Sequence, residues 1–138
     1  MLVRQIMQAR VTAVGLGTSV RAAAALMGAR DIGMLPVMRD GRAVGVVTDR
    51  DLALRLLPEA GRWEDVPVGA VMTGGVRSCR EGQSVAEAAA LMGEWQVRRL
   101  LVVDGGGRLM GIVSLGDIAR DASEELAGQA LGEIVEWR

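Results

Sequence analysis

This chain carries one pattern twice. Residues 19–28, Ser-Val-Arg-Ala-Ala-Ala-Ala-Leu-Met-Gly, return at 84–93 as Ser-Val-Ala-Glu-Ala-Ala-Ala-Leu-Met-Gly, so that Met92 stands 65 positions after Met27. Residues 45–53, Gly-Val-Val-Thr-Asp-Arg-Asp-Leu-Ala, return at 111–119 as Gly-Ile-Val-Ser-Leu-Gly-Asp-Ile-Ala, 66 positions on. The one-residue change falls between Asp40-Gly41 and Gly105-Gly106-Gly107, a turn, where an insertion costs least. Two copies are too few for a solenoid, which needs about three stacked units. The repeat therefore points to two small α/β units, each expected to bury an apolar face against the other.

Composition sets what such a pair can do. Half of the 138 residues are hydrophobic and 24% are charged, a globular balance. A net charge of −1 gives no electrostatic footprint for nucleic acid or an anionic membrane, and the three Trp are not interleaved with basic clusters. No apolar run reaches the ~18 residues a membrane span needs, and Arg4 has no long apolar stretch behind it. The expectation is a soluble, cytoplasmic protein. The chain has no His and every basic residue is Arg, which removes His acid–base chemistry, Ser-His-Asp triads, most zinc sites and any catalytic Lys. Cys79 is the single cysteine and matches Val14 of the first copy, so it reads as a small buried hydrophobe in a strand. These absences argue against an enzyme, and no metal site is expected.

The organisation follows the repeat: residues 1–57 form the first copy, 58–67 a linker with two Pro and a Gly, 68–122 the second copy, and 123–138 a final helix. Each copy opens on a short apolar-spaced stretch, residues 3–7 and 68–72. Brief β-prone runs follow at 11–14 and 76–79, then Ala-rich helices from Ser19 and Ser84. Ser84 with Glu87 spells a capping box, and the first copy has Ala22 in the matching place, predicting a weaker helix start. Residues 34–38 and 100–103 are continuous apolar runs, read as strands covered on both faces, with Pro36 arguing for an edge position or a late start. The glycines of the turns supply positive φ, and strands return over 43–47 and 109–113. Helices then begin after Thr48 and Ser114, with Leu52, Leu56 and Leu57 on one face in the first copy. Trp63 is expected to clamp the linker onto the core. In the last helix Leu126, Ala127, Ala130, Leu131, Ile134 and Val135 make one apolar stripe, with Glu124, Glu125, Glu133 and Glu136 outside it.

The chemistry-bearing pattern is Gly45-Val46-Val47-Thr48-Asp49-Arg50-Asp51 with its echo Gly111-Ile112-Val113-Ser114-Leu115-Gly116-Asp117. Each is a strand running into a helix start, whose free amides suit a phosphate. A hydroxyl at the junction adds a donor, and a carboxylate three residues on can accept both hydroxyls of a ribose. The same atoms also spell a helix N-cap with a favourable first-turn charge. Spacing does not separate these two readings.

The ordered set of helix, Leu35-Pro36-Val37, Asp40-Gly41 and Gly45-Val46-Val47-Thr48-x-x-Asp51-Leu52, given twice, resembles a tandem pair of CBS domains, the regulatory domain of cystathionine β-synthase. The similarity runs from about Arg4 to Ala122. It implies an α/β (α+β) fold of two β-α-β-β-α repeats packed about a pseudo-twofold axis, with two clefts between them and a homodimer shaped as a flat disc. It further implies adenosine-containing regulatory ligands such as AMP, ADP, ATP, S-adenosylmethionine or NAD, no catalysis, and an unknown downstream protein. Carried over, Thr48 and Asp51 would hold phosphate and ribose in one site, and Ser114 and Asp117 in the other. Gly45 and Gly111 would permit close backbone approach. Adenine would lie near Val11, Thr12, Ala13, Met34 and Leu35 in the first site. In the second it would lie near Val76, Arg77, Ser78, Arg99 and Leu100. Arg98 and Arg99 would meet phosphates, and an Asp49–Arg50 ion pair would orient Arg50. The alternative is an interaction scaffold whose caps only look like ribose clamps.

Overall fold

The computed structural model describes residues 1–58 and 63–136, apart from the side chain of Glu64. It divides into two compact units, Thr12–Val76 and Met1–Val11 with Arg77–Arg138. The structural division thus cuts across the sequence repeat: residues 3–7, which open the first copy, fold with the second, and residues 68–72 fold with the first. Of the linker, residues 59–62 lie outside the described residues.

The first unit holds β1 (Val14–Gly15), α1 (Val20–Arg30), β2 (Met34–Arg39), β3 (Arg42–Thr48), α2 (Asp49–Asp51) and β4 (Thr73–Gly74). α2 continues into a wider π-type turn over Leu52–Leu56, closed by the Leu57 amide donating to the Leu52 carbonyl. The sheet order is β1-β2-β3-β4, with β1 parallel to β2 and the other pairs antiparallel. The second unit holds β5 (Ser78–Arg80), α3 (Val85–Trp95), β6 (Arg99–Val103), β7 (Leu109–Ser114), α4 (Leu115–Asp121) and α5 (Glu124–Val135). Its three strands pair in the order β5-β6-β7, and a bridge from Gln8 to Ile112 stands where β4 stands in the first unit. The architecture is α+β, as the sequence pattern implied. Leu35, Pro36 and Val37, like Leu100, Leu101 and Val102, are buried in succession, which is the expected signature of strands covered on both faces.

Local physics sets the helix starts. Ser19 Oγ accepts from the Ala22 amide and Ser84 Oγ from the Glu87 amide, each at 3.1 Å. The expected capping box at Ser84 does not close, because the Glu87 carboxylate instead accepts from Gln83 Nε2 at 3.0 Å. The two caps are therefore equivalent. The β-prone runs shorten: Val11, Thr12 and Val76 lie outside strands, and pairing begins at Val14 and Ser78.

Pro36 explains the difference between the two units. It lies inside a central strand, not at an edge. At its place in the second unit the Leu101 amide donates to the Arg77 carbonyl, and Ser78 pairs with Leu101. Proline has no N–H to give, so β1 joins only from Val37 onward. In the turns, Asp40 and Gly41 both take positive φ, whereas of the three glycines at 105–107 only Gly107 does, because the Asp104 carboxylate already holds the Gly106 and Arg108 amides.

The apolar faces are covered unequally. α5 packs on α3 and α4 through Ala127, Ala130 and Ile134, while Leu131 and Val135 of the expected stripe stay largely exposed, since those two helices shield only one side of it. Ala89 of α3 is buried beneath this cover, but its counterpart Ala24 of α1 is exposed. There the first unit keeps an open cavity of about 420 Å³ walled by Val20, Ala24, Leu52, Leu56, Leu57 and Trp63. Leu57 was expected on the buried face and is 56% exposed, because no helix among the described residues lies over this groove. Trp63 sits beside α1, as a clamp should, yet is itself 42% exposed. The following residues tie back to the helix start, with the Val20 amide donating to the Val66 carbonyl and the Val68 amide to the Thr18 carbonyl, both at 2.8 Å. Cys79 lies buried in β5, and burial pushes its thiol up to about 11.

The duplicated glycines provide a test within one molecule. A Cβ on Gly28 would meet open space, whereas one on Gly93 would run into the Glu133 side chain of α5. Gly28→Ala should raise unfolding stability by about 0.5–1 kcal/mol through helix propensity. Gly93→Ala should gain clearly less or lose stability, and chemical denaturation of both variants measures the difference.

Candidate functional site

Thr48 ends β3 in extended backbone (φ −119°, ψ 162°) and Ser114 ends β7 in the same way (φ −113°, ψ 162°). Both then form a complete capping box. Thr48 Oγ1 accepts from the Asp51 amide at 3.0 Å, and the Thr48 amide donates to Asp51 Oδ2 at 2.9 Å. Ser114 Oγ accepts from the Asp117 amide at 3.0 Å, and the Ser114 amide donates to Asp117 Oδ2 at 2.9 Å. The N-cap reading is therefore realised in both units. It uses only Oδ2 of each carboxylate.

The other oxygen faces the segment that completes each sheet. Asp51 Oδ1 accepts from Thr73 Oγ1 at 3.2 Å, with Arg55 Nε 3.7 Å away. Arg55 also donates through Nη1 to the carbonyls of Val71 (3.2 Å) and Met72 (3.0 Å). Asp117 Oδ1 accepts from Gln8 Nε2 at 3.2 Å and from Arg120 Nη2 at 2.7 Å. Asp51 is 8% exposed and Asp117 4%. Both buried carboxylates thus have their oxygens met by amide, hydroxyl or guanidinium donors, as buried polar groups require.

Gly45 and Gly111 explain how that segment comes so near. A Cβ on Gly45 would lie 2.6 Å from the Thr73 carbonyl oxygen and 2.8 Å from Met72 Sδ. One on Gly111 would lie 2.7 Å from the Gln8 carbonyl oxygen and 2.9 Å from Met7 Sδ. In this structure the approach that each glycine permits is made by the chain's own backbone.

The remaining residues divide by register. Met34 pairs with Thr48 and Arg99 with Ser114, so each stands next to its hydroxyl. Arg98 and Arg99 are exposed, and the Arg98 carbonyl accepts from the Leu115 amide at 2.9 Å. Leu35 and Leu100 pair with Val47 and Val113, and their side chains belong to the two cores. Thr12 and Val76 fall in the unit of Thr48 and Asp51, while Val11 falls in the unit of Ser114 and Asp117. The expected Asp49–Arg50 ion pair does not form. Asp49 Oδ1 instead accepts the Arg50 amide at 2.8 Å, and its carboxylate lies over Gly33, where a Cβ would be 2.9 Å from Oδ2. Gly33 and Asp49 in the first unit thus answer to Arg98 and Leu115 in the second.

Gln8, Thr73, Arg55 and Arg120 were not among the residues the sequence pattern singled out. Gln8 and Thr73 share one repeat position but differ in type. Arg55 at i+4 from Asp51 and Arg120 at i+3 from Asp117 were open to detection as helical ion pairs. Among the described residues no three His, Cys, Asp or Glu cluster as metal ligands, and no helix is long and apolar enough to cross a membrane.

Burial raises the Asp117 carboxyl, but the Ser114 amide and hydroxyl, Gln8 and Arg120 outweigh it and hold the group below the usual carboxylate range. The unfolded chain therefore binds this proton more readily. The ionised group stabilises the fold above its unfolded value near ~4, and that stability is lost as pH falls through the lower folded value. The stability gap between the wild type and Asp117→Asn should be level at neutral pH and should close in acid. Urea unfolding across that range checks it, and a gap unchanged in acid would contradict the linkage.

Comparison with known proteins agrees with this geometry. The family model of the CBS domain matches residues 3–58 and 68–124. The chain is 39% identical over 133 residues to CBS domain-containing protein YhcV of Bacillus subtilis, covering 96% of this chain and 94% of that protein. Among solved structures it is similar to the conserved CBS domain protein TA0289 of Thermoplasma acidophilum, with TM-score 0.82 and 30% identity over 96% of this chain and 75% of that one. It is also similar to CBSX2 solved in complex with AMP, with TM-score 0.75 and 32% identity over 90% and 97% of the two chains. The CBS domain pair of MJ0100, solved with 5′-methylthioadenosine and S-adenosyl-L-methionine, matches with TM-score 0.75 and 27% identity over 87% and 98%.

Proposed function

The chain belongs to the CBS domain family, and from that premise we propose that it is a regulatory module that binds an adenosine-containing ligand, of the AMP, ADP or ATP class, without catalysis. One observation carries the reading: each unit sets a hydroxyl and a buried carboxylate side by side at a strand-to-helix junction, Thr48 with Asp51 and Ser114 with Asp117. A ribose presents two hydroxyl donors to such a carboxylate, whose Oδ1 is not part of the cap. The Thr48 and Ser114 hydroxyls would face the phosphate, and in the second unit the exposed Arg98 and Arg99 would add cations to it. Similar structures hold AMP, or 5′-methylthioadenosine and S-adenosylmethionine, and adenosine is what those ligands share. The nucleotide pool such a module reads is intracellular, so the proposal places the protein in the cytoplasm. Binding is the whole of the chemistry, and its regulatory effect would come from a difference in affinity between two states of the protein.

A ligand that binds only the folded chain, present at 100 times its Kd, should stabilise it by about 2.7 kcal/mol. Thermal unfolding with AMP, ADP, ATP, S-adenosylmethionine and NAD should show a rise of several degrees with at least one of them. Asp51→Ala combined with Asp117→Ala should abolish that rise and cost about 1 kcal/mol of intrinsic stability per cap. The scaffold reading has its own support, because both capping boxes are complete without a ligand. Loss of stability in that double variant with no ligand effect in either protein would favour it.

The proposal also takes the module to be a homodimer. The cavity beside α1, bordered by Leu57, is the apolar surface that α5 covers in the other unit and that no helix among the described residues covers here. A second copy is the occupant we assign to it. Sedimentation should find the wild type as a dimer and Leu57→Glu as a folded monomer, and a wild-type monomer would contradict the assignment.

A further inference from the structure

The two carboxylates are not equally available. Among the described residues the Asp51 Oδ1 atom has one hydrogen-bond partner, the Thr73 hydroxyl at 3.2 Å, and Arg55 Nε stands off at 3.7 Å with Nη1 engaged by the Val71 and Met72 carbonyls. A ribose hydroxyl arriving there exchanges one neutral donor for another. At Asp117 the same atom holds the Arg120 guanidinium at 2.7 Å as well as the Gln8 amide at 3.2 Å. A ribose must there displace a charge-assisted bond, the stronger kind.

We propose that Arg120 is a latch on the second site, a residue that holds Asp117 against the ribose and makes the Asp51 site the first to fill. This rests on the nucleotide-binding reading and deepens it. The latch belongs to the second copy alone, because Leu54 stands at the position of Arg120 in the first. It is built to release: the Arg120 side chain is 61% exposed, and Nη2 already touches Asp121 Oδ2 at 3.2 Å, so the guanidinium keeps an anionic partner when it leaves Asp117. Gln8 cooperates from another element, so ligand entry at Asp117 also frees the side chain of the segment bridged to Ile112. Occupancy of the second site is thereby coupled to how tightly that segment is held. Arg120 acts through Asp117 and is a positioning residue.

Calorimetric titration of the full chain with adenosine tests this, since adenosine has no phosphate for a freed guanidinium to pair with. The wild type should show two classes of site, the tighter lost in Asp51→Ala and the weaker in Asp117→Ala. Arg120→Ala should tighten the weaker class about three- to tenfold and leave the tighter one unchanged. Arg120→Lys, which keeps a cation beside Asp117, should restore most of the wild-type difference, an outcome that mere loosening of α4 would not produce. Two equal sites, or a weaker class that Arg120→Ala leaves unchanged or weakens further, would overturn the latch while the binding reading stands. Absence of binding by both adenosine and AMP in the wild type would overturn the binding reading and the latch with it.

Discussion

Everything in this fold turns on the close pass of one backbone segment over one glycine in each unit. The Thr73 carbonyl and Met72 sulfur occupy the space above Gly45, and the Gln8 carbonyl and Met7 sulfur occupy that above Gly111. Any side chain at either glycine would push the segment away. With it would go the last pairing of the first sheet, the Gln8–Ile112 bridge of the second, and the side chains that reach Asp51 and Asp117. The chain solves a problem of small size by this means: a unit of three short strands gains a fourth pairing without a longer sheet of its own.

The capping boxes engage only one oxygen of each carboxylate. Oδ2 secures the strand-to-helix junction and Oδ1 is left to the surroundings. An oxygen that the cap leaves out could accept from a diol under the proposed reading without taking the lone pairs that hold the junction. What differs between the units is the company that oxygen keeps: a hydroxyl in one, a guanidinium and an amide in the other. The capped carboxylate occurs in both copies, and Leu54 in the first stands where Arg120 stands in the second.

Much of this was legible in the sequence because it is local. Ser19, Ser84, Thr48 and Ser114 announce their helix starts within three residues, and the repeat announces two similar units. The misjudged features are tertiary. Nothing near Glu87 says that Gln83 will take its carboxylate, and nothing near Pro36 says that the neighbouring strand will begin late enough to spare it a donor. Leu131 and Val135 fit the helical stripe as well as Ile134 does, but a stripe does not reveal how wide a cover it will meet. Gln8 and Thr73 escaped for the same reason: each lies more than twenty residues in sequence from the carboxylate it serves. Only the fold brings them together.

The account turns on Asp51 and Asp117 as the acceptors of a ribose. A crystal structure of the chain grown with adenosine tests that most directly. The prediction is a ribose whose 2′ and 3′ hydroxyls donate to Asp51 Oδ1, with the Thr48–Asp51 cap intact and the Thr73 hydroxyl turned away. Adenosine bound elsewhere, with the Thr73–Asp51 hydrogen bond unbroken, would contradict it.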